Sequence, residues 1–328
     1  MISRVAESLY WLQRYVERAA STARLMQVTG NTLADAPGLH TWTPVLIVAG
    51  EQPRFLELHD RADQEDPEVV QHFLTWDERC MSSIFCSVRA ARENARTTRE
   101  TISREVFQTL NEAWIWLQGP EARALYARDR EGFYGRIRAL GHEVRGCALA
   151  TMLRDEPLAF MELGLALERA DQTARALDVR HHALGVVDPT LPETGVDMVA
   201  WLATLLSCTA YEGYFKRYRG SLRGLRVAEF LLLDPQFPRS VRVCLGDAIA
   251  RVASLGAPER SLDQLAAGRR LQALRARLEA GGIEELVEED IHEELTILVD
   301  GLAAAAAELY GDFFDPPIAS APTTEVSQ

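Results

Sequence analysis

Hydrophobic residues recur at three- and four-residue steps along most of the chain, which is typical of helices that bury one face. The first such stretch runs from about residue 2 to residue 29, where Gly30-Asn31 indicates a helix end. Its opposite side carries Tyr10, Arg14, Arg18, Ser21 and Leu25. No stretch alternates apolar and polar residues as a half-buried strand does, so the sequence predicts an all-α protein.

Further helices are predicted from the same periodicity and from the Gly, Pro and Asp residues that interrupt it. They cover roughly residues 45–49, 67–76, 82–117, 133–153, 158–183, 198–218, 226–233, 238–255, 262–279 and 283–310. Prolines and small polar residues then predict a disordered tail over 313–328. We therefore expect a single helical domain over 1–312.

A polar segment occurs twice, 151 residues apart. The ten residues that begin at Glu17 and the ten that begin at Glu168 share six identical positions, which are Glu, Arg, Ala, Thr, Ala and Arg. A second pair of segments follows at an offset of 157, ending in Asp77 and Asp234, each with a serine six residues later. Together they predict a helical bundle built from two pseudo-repeated halves, about 1–140 and 141–312.

This repetition also predicts geometry. Equivalent apolar stripes on equivalent helices form self-complementary contacts, so the two Glu-Arg helices should pack against each other across a pseudo-twofold axis. Isolated buried charges are costly, so we expect each glutamate to be paired with an arginine. The candidate partners of Glu17 and Glu168 are Arg18, Arg24, Arg169 and Arg175.

The composition excludes some functions. Thirty-five basic against forty-eight acidic residues give a net charge of −13, which disfavours a nucleic-acid-binding surface. The five cysteines form no Cys-x-x-Cys pair, which favours buried thiols in a reducing compartment. There is no apolar signal-peptide core and no run of about twenty apolar residues, so we expect a cytoplasmic protein without a membrane span.

The repeated charged residues are the main candidate site. One interpretation is a buried ion-pair network that holds two long helices in register. The other is a site for a carboxylate or another anion, because the arginine fork matches both carboxylate and phosphate. The residues are Glu17, Arg18, Arg24, Glu168, Arg169 and Arg175.

Secondary candidates have ordinary structural explanations beside functional ones. The polar cluster Glu93, Asn94 and Arg96 is equally consistent with a solvated helix face. Arg217 and Arg219 end a helix, where positive charge interacts with the helix dipole. Asp77 and Asp234 are expected to be turn or capping residues.

No cofactor or metal site is predicted. Arg180-His181-His182 resembles a metal-binding fragment, but adjacent side chains on a helix diverge by about 100°, so the two histidines do not chelate one ion. The chain has no His-x-x-x-His pattern, no Gly-rich phosphate loop and no nucleophile elbow.

Several motifs together resemble the bacterial alpha-E family, an all-helical family named for its Glu-Arg motif. The resemblance covers 2–310 and rests on residues 3–11, 17–18, 91–96, 167–171, 177–180, 217–220 and 229–234. Two places depart from it: Cys80-Met81 stands where the family usually has Asn-Pro, and His181 where it usually has tyrosine.

The resemblance also implies partners. Members of the family are associated with a circularly permuted ATP-grasp protein, and often with transglutaminase-like or amidohydrolase proteins, which implies peptide or amide-bond ligation. Three hypotheses follow for this chain. It is a non-catalytic partner of the ligase, an accessory enzyme in which burial makes a Glu-Arg glutamate a general base, or a structural scaffold.

Overall fold

The computed structural model describes residues 1–35, 41–180, 194–220, 222–256, 261–288 and 291–315. These ranges contain α-helices and short 3₁₀ and π-helical turns, and no strand. The first nine α-helices are α1 (Ser3–Asp35), α2 (Thr43–Val48), α3 (Gln52–Leu58), α4 (Pro67–Trp76), α5 (Ile84–Thr97), α6 (Arg104–Gln118), α7 (Pro120–Arg128), α8 (Arg130–Thr151) and α9 (Glu156–Asp178). The others are α10 (Gly195–Ser207), α11 (Tyr211–Tyr218), α12 (Gly224–Leu233), α13 (Val241–Leu255), α14 (Ala266–Glu279), α15 (Ile283–Glu288) and α16 (Ile291–Leu309), followed by a π-helical turn at Tyr310–Phe314.

Helices α1 and α9 form the centre of the bundle. They pack against each other along much of their length, and the predicted contact between the two Glu-Arg helices is therefore present. Helix α1 also packs on α5 and α8, and α9 packs on α13 and α16. The apolar stripe of α1 supplies much of this core, since Leu9, Leu12 and Val16 are all buried.

A glycine allows the two central helices to approach closely. A Cβ atom at Gly164 of α9 would lie 2.3 Å from the backbone oxygen of Tyr10 in α1. Real side chains are excluded at that distance, so only glycine fits at this crossing. The crossing places the next turn of α9, which carries Glu168, opposite the charged face of α1.

The elements that come after α1 and those that come after α9 occur in the same order along the chain. Helix α5 begins after Ser83, which accepts a hydrogen bond from the Cys86 amide, and α13 begins after Ser240, which accepts one from Val243. The preceding aspartates also act alike, because Asp77 accepts the Arg79 amide and Asp234 the Gln236 amide. Their assignment as turn residues is confirmed, and the two-halves organisation stays a prediction that this order supports.

Two long helices predicted from periodicity are in fact divided. The stretch over 82–117 breaks at residues 98–103, because the Ser103 hydroxyl caps a new helix by accepting the Val106 amide. The stretch over 198–218 breaks at Thr209, whose φ of 55° is incompatible with a continuous right-handed helix. The interactions that end a helix involve only neighbouring residues. Where the apolar periodicity continues through such a point, the sequence pattern does not reveal that the helix is divided there.

Other boundaries differ as well. Helix α1 passes through Gly30 and ends at Asp35, because a single glycine weakens a helix without ending it. The short helices α3 and α7 were not predicted; each has proline in its first turn, where its missing N–H is tolerated. The last predicted stretch contains α15 and α16. Most of the predicted tail lies outside the described residues.

Candidate functional site

A cleft of about 770 Å³ lies along α1 and α9. Its walls come from one face of each of these helices, from the α2–α3 turn, from the end of α10 and from α16 with the following π-helical turn. The face of α1 opposite its apolar stripe lines this cleft. Polar residues on that face are therefore partly withdrawn from solvent. The cleft-lining side chains of α1 and α9 that carry the argument below are Tyr10, Trp11, Arg14, Arg18, Glu168 and Arg175.

Glu168 binds two arginines of α1. Its carboxylate accepts hydrogen bonds from Arg18 Nε at 2.7 Å and Arg18 Nη2 at 2.9 Å, and from Arg14 Nε at 2.8 Å. Gln172 Nε2 donates a fourth, at 3.0 Å. Only 2% of Glu168 is exposed. This arrangement fixes both guanidinium groups in the cleft wall.

Glu17 binds arginines from the other half of the chain. Arg239 Nη2 donates to its Oε1 at 2.5 Å, and Arg169 Nη2 donates to its Oε2 at a longer 3.4 Å. The Arg18–Glu168 and Arg169–Glu17 pairs are thus reciprocal between the two Glu-Arg segments. The expectation that each glutamate lies within hydrogen-bonding reach of an arginine is confirmed.

The arginines keep both carboxylates ionised. Burial by itself raises the pKa of Glu17, but Arg239, Arg169 and Arg24 outweigh it and hold the pKa at about 2. Burial likewise raises the pKa of Glu168, and Arg18 and Arg14 bring it down to about 2. A general base works best with a pKa near the ambient pH. The raised pKa that the enzymatic hypothesis needed is therefore absent from both glutamates.

Arg24 was a candidate hydrogen-bond partner of the glutamates, but the structure places it differently. Its side chain is 2% exposed, and its Nε and Nη1 atoms have no hydrogen-bond partner in the part of the chain that the structure describes. Burial lowers the pKa of Arg24, and the nearby Arg239 lowers it further, to about 10, despite the opposing effect of Glu17. Arg24 is thus an electrostatic neighbour of Glu17 without a direct hydrogen bond to it.

Arg175 pairs within its own helix. Its Nε donates to Asp171 Oδ2 at 3.0 Å, one turn earlier in α9, and not to Glu17 or Glu168. The guanidinium lies against Gly50 in the α2–α3 turn and lines the cleft. Arg175 was therefore the wrong candidate as a hydrogen-bond partner of the glutamates, because Asp171 accepts its Nε instead.

Aromatic side chains line part of the cleft. The Tyr10 ring lies 5.5 Å from that of Phe314, and Trp11 stacks on Tyr15 at 5.4 Å. The guanidinium of Arg14 lies 4.9 Å from the Trp11 ring and donates to the Tyr10 hydroxyl. The cleft thus combines aromatic surface with fixed positive charge, which suits a ligand that has both apolar and anionic parts.

The secondary candidates lie outside the cleft. Glu93 and Arg96 are paired at 2.8 Å on an exposed face of α5, and Asn94 is beside them. Arg217 binds Asp234 at 2.8 Å, while Arg219 ends α11 in the left-handed conformation. These contacts are the ordinary surface and capping interactions that the sequence also allowed.

Arg180 follows α9 and lines a separate small cavity, where burial lowers its pKa. His181 and His182 lie outside the described residues. Across the described ranges, no three His, Cys, Asp or Glu side chains come together as metal ligands do.

Two functional candidates were missed by sequence reasoning. Arg14 is four residues before Arg18 and on the same helix face, a spacing that could have identified it. Arg239 lies in the connection between α12 and α13, and its backbone oxygen accepts a hydrogen bond from Thr173 of α9. No local pattern marks Arg239, since it meets Glu17 only through the packing of the bundle.

The fold and the site define an all-helical protein in which two helices exchange Glu-Arg ion pairs beside a cleft. Residues 1–314 match the Alpha-E family, described as a predicted alpha-helical domain with a conserved ER motif. The chain belongs to this family.

Uncharacterized proteins of Mycobacterium bovis and Mycobacterium tuberculosis (strain H37Rv) are each 26% identical to the chain over 348 residues. Each alignment covers 93% of this chain and 34% of the relative, so the chain spans about a third of the length of these curated relatives. No solved structure matches it. None of its described helices has the length and apolar character needed to cross a membrane.

Proposed function

We propose that this chain is the helical partner of an ATP-grasp-type ligase that forms peptide or amide bonds, and that its cleft holds a carboxylate-bearing ligand for that reaction. The association with a circularly permuted ATP-grasp protein, and with transglutaminase-like proteins, comes from the resemblance of the motifs. Membership in the Alpha-E family supports it. A cytoplasmic location accords with five free cysteines.

The observation that carries the binding role is the way Glu168 holds Arg14 and Arg18. Glu168 occupies Nε of both arginines and Nη2 of Arg18. Among the described residues, Arg18 Nη1 and Arg14 Nη2 enter no hydrogen bond. Because both side chains line the cleft, these donors are available to a ligand carboxylate.

The partner role has separate support. The matched region is about a third of each curated relative, so in those proteins the helical domain is joined to a much longer chain. That covalent link in the relatives supports a role for this helical domain in assembly with other proteins. The carboxylates with a pKa of about 2 favour this binding role over proton transfer.

Co-purification with the ATP-grasp protein of the same source tests the proposal. We expect a complex, and ATP-dependent amide formation that requires this chain. Arg18→Gln removes a cleft donor and should reduce that activity while the complex persists; the matched control Arg96→Gln, on an exposed face, should retain it. Full ligase activity without this chain, together with no complex, would refute the proposal.

A further inference from the structure

The second charged cluster beside the cleft contains more positive than negative charge. Arg24, Arg169 and Arg239 surround the single carboxylate of Glu17, and each of these side chains is at least nine-tenths buried. Ion pairing with Glu17 therefore leaves two cationic charges without a carboxylate in this cluster. Buried charge without compensation is costly, so an arrangement of this kind favours a bound anion.

Unused donors accompany this excess charge. Arg24 Nε and Nη1 and Arg169 Nε are buried, and no described residue accepts a hydrogen bond from them. At the first cluster, by contrast, Glu168 uses Nε of both of its arginines. The donors at the second cluster are thus buried without a protein acceptor, so no hydrogen bond from the described residues offsets their positive charge behind the cleft wall.

The cluster has access to the cleft through Arg239. Arg239, Cys208 and Thr173 all line the cleft wall. Arg24 interacts electrostatically with both Arg239 and Cys208 and so lies close behind this wall. An anion in front of Arg239 would therefore lie within the field of Arg24 as well.

We propose that the part of the cleft lined by Arg239, Cys208 and Thr173 binds a phosphoryl group, or another doubly charged oxyanion, of the ligand. Two uncompensated cations are balanced by a dianion, whereas a single carboxylate balances only one. The Arg14–Arg18 donors then take a carboxylate elsewhere in the same cleft. This inference rests on the proposed function, because it places the phosphoryl group and the carboxylate of one ligand in the same cleft. The phosphoryl site can nevertheless be tested without the ligase.

Calorimetric titration with inorganic phosphate, and with acetate at the same ionic strength, tests this site. We expect the wild-type protein to bind phosphate more tightly than acetate. Arg24→Met removes one cation without breaking an ion pair, and should weaken phosphate binding by roughly tenfold. Arg24→Lys keeps the positive charge and should therefore give a smaller loss.

Arg96→Gln is the matched control. It removes an exposed arginine whose ion pair is with Glu93, outside the cluster, and this variant should bind phosphate like the wild type. It also controls for the general stabilisation that phosphate gives to proteins. Arg24→Met should unfold at a temperature no lower than the wild type, since a buried charge without a hydrogen-bonded partner adds no stability.

Equal affinity for phosphate and acetate in the wild type, or unchanged phosphate affinity in Arg24→Met, would overturn the inference. So would a large loss of thermal stability in both Arg24 variants, because Arg24 would then be a structural ion-pair partner. The proposed ligase partnership could still hold in each case, since its test depends on Arg18 and on complex formation.

Discussion

At the residue scale, the central feature is a buried carboxylate whose acceptor positions are all occupied. Glu168 accepts four hydrogen bonds from Arg14, Arg18 and Gln172. A carboxylate offers about four such positions, so Glu168 has little capacity left for a substrate proton. Its role in this geometry is to orient the guanidinium groups that line the cleft.

Replacing Glu168 with glutamine should destabilise the protein strongly at neutral pH. The variant removes the carboxylate that both partly buried arginines, Arg14 and Arg18, bind, and we expect the free energy of unfolding to fall by about 3 kcal/mol at pH 7. Urea denaturation followed by circular dichroism measures this change. Glu93→Gln is the control: its carboxylate is 44% exposed, and we expect a change of at most about 1 kcal/mol.

The effect of Glu168→Gln should depend on pH. The pKa of Glu168 falls from an ordinary value of 4.5 to about 2 on folding, so the unfolded state binds the proton more readily than the folded state. The stabilisation is therefore complete above about pH 4.5 and is lost as the pH falls towards 2. The wild-type and variant stabilities should converge over that window, and a difference that is independent of pH would contradict the ion-pair assignment.

At the element scale, the register of α1 against α9 decides which charges meet. Gly164 contacts the backbone of Tyr10, and Glu168 lies one turn further along α9, opposite Arg14 and Arg18. The close crossing thus fixes the Glu168 ion pairs as well as the packing. Side chains on one helix face recur every three to four residues, so a small displacement of α9 would misplace all of them.

Gly164→Ala should separate the two central helices. The added Cβ would meet the Tyr10 carbonyl oxygen at 2.3 Å, and rigid backbone cannot rotate away from it. We expect a loss of about 1–3 kcal/mol in the free energy of unfolding, measured by urea denaturation.

Gly146→Ala in α8 is the matched control for this substitution. No atom lies within 4 Å of its added Cβ, so alanine should stabilise the helix by about 0.5–1 kcal/mol. Equal effects of the two substitutions would show that the crossing at Gly164 is not tight.

At the scale of the whole molecule, the charged pairs join distant parts of the chain. Arg18 and Glu168 are 150 residues apart in sequence, and Arg239 and Glu17 are 222 apart. Helix α1 packs on α5 and α8 while α9 packs on α13 and α16, so each half of the chain meets the other through this central pair. Neither half can retain its buried charges in paired form without the other.

We therefore expect the two halves to unfold together. Separation would expose the apolar contact of α1 with α9 and leave Glu17, Glu168 and their arginines unpaired. Differential scanning calorimetry should give one transition, with equal calorimetric and van't Hoff enthalpies. Two resolved transitions, or different midpoints by near- and far-ultraviolet circular dichroism, would show independent halves.

The sequence by itself determined the helical class and the two central elements. Periodicity placed α1 and α9, and the Glu-Arg repeat predicted that their glutamates would be paired with arginines. The starts of α5 and α13 were predicted to within a few residues of Ser83 and Ser240, because capping depends on residues only three positions apart. Helix periodicity and capping are local properties of the sequence. The contact between the two Glu-Arg helices follows from burying their similar apolar faces against each other.

Only the tertiary structure decided which arginine serves which glutamate. Arg175 turns to Asp171 within its own helix, Arg14 joins Arg18, and Arg239 arrives from a connection far along the chain. The cleft and the unpartnered donors of Arg24 were equally invisible in the sequence. Such contacts depend on the crossing of α1 and α9 and on the close approach at Gly164, and no short-range pattern records where distant segments of a chain meet.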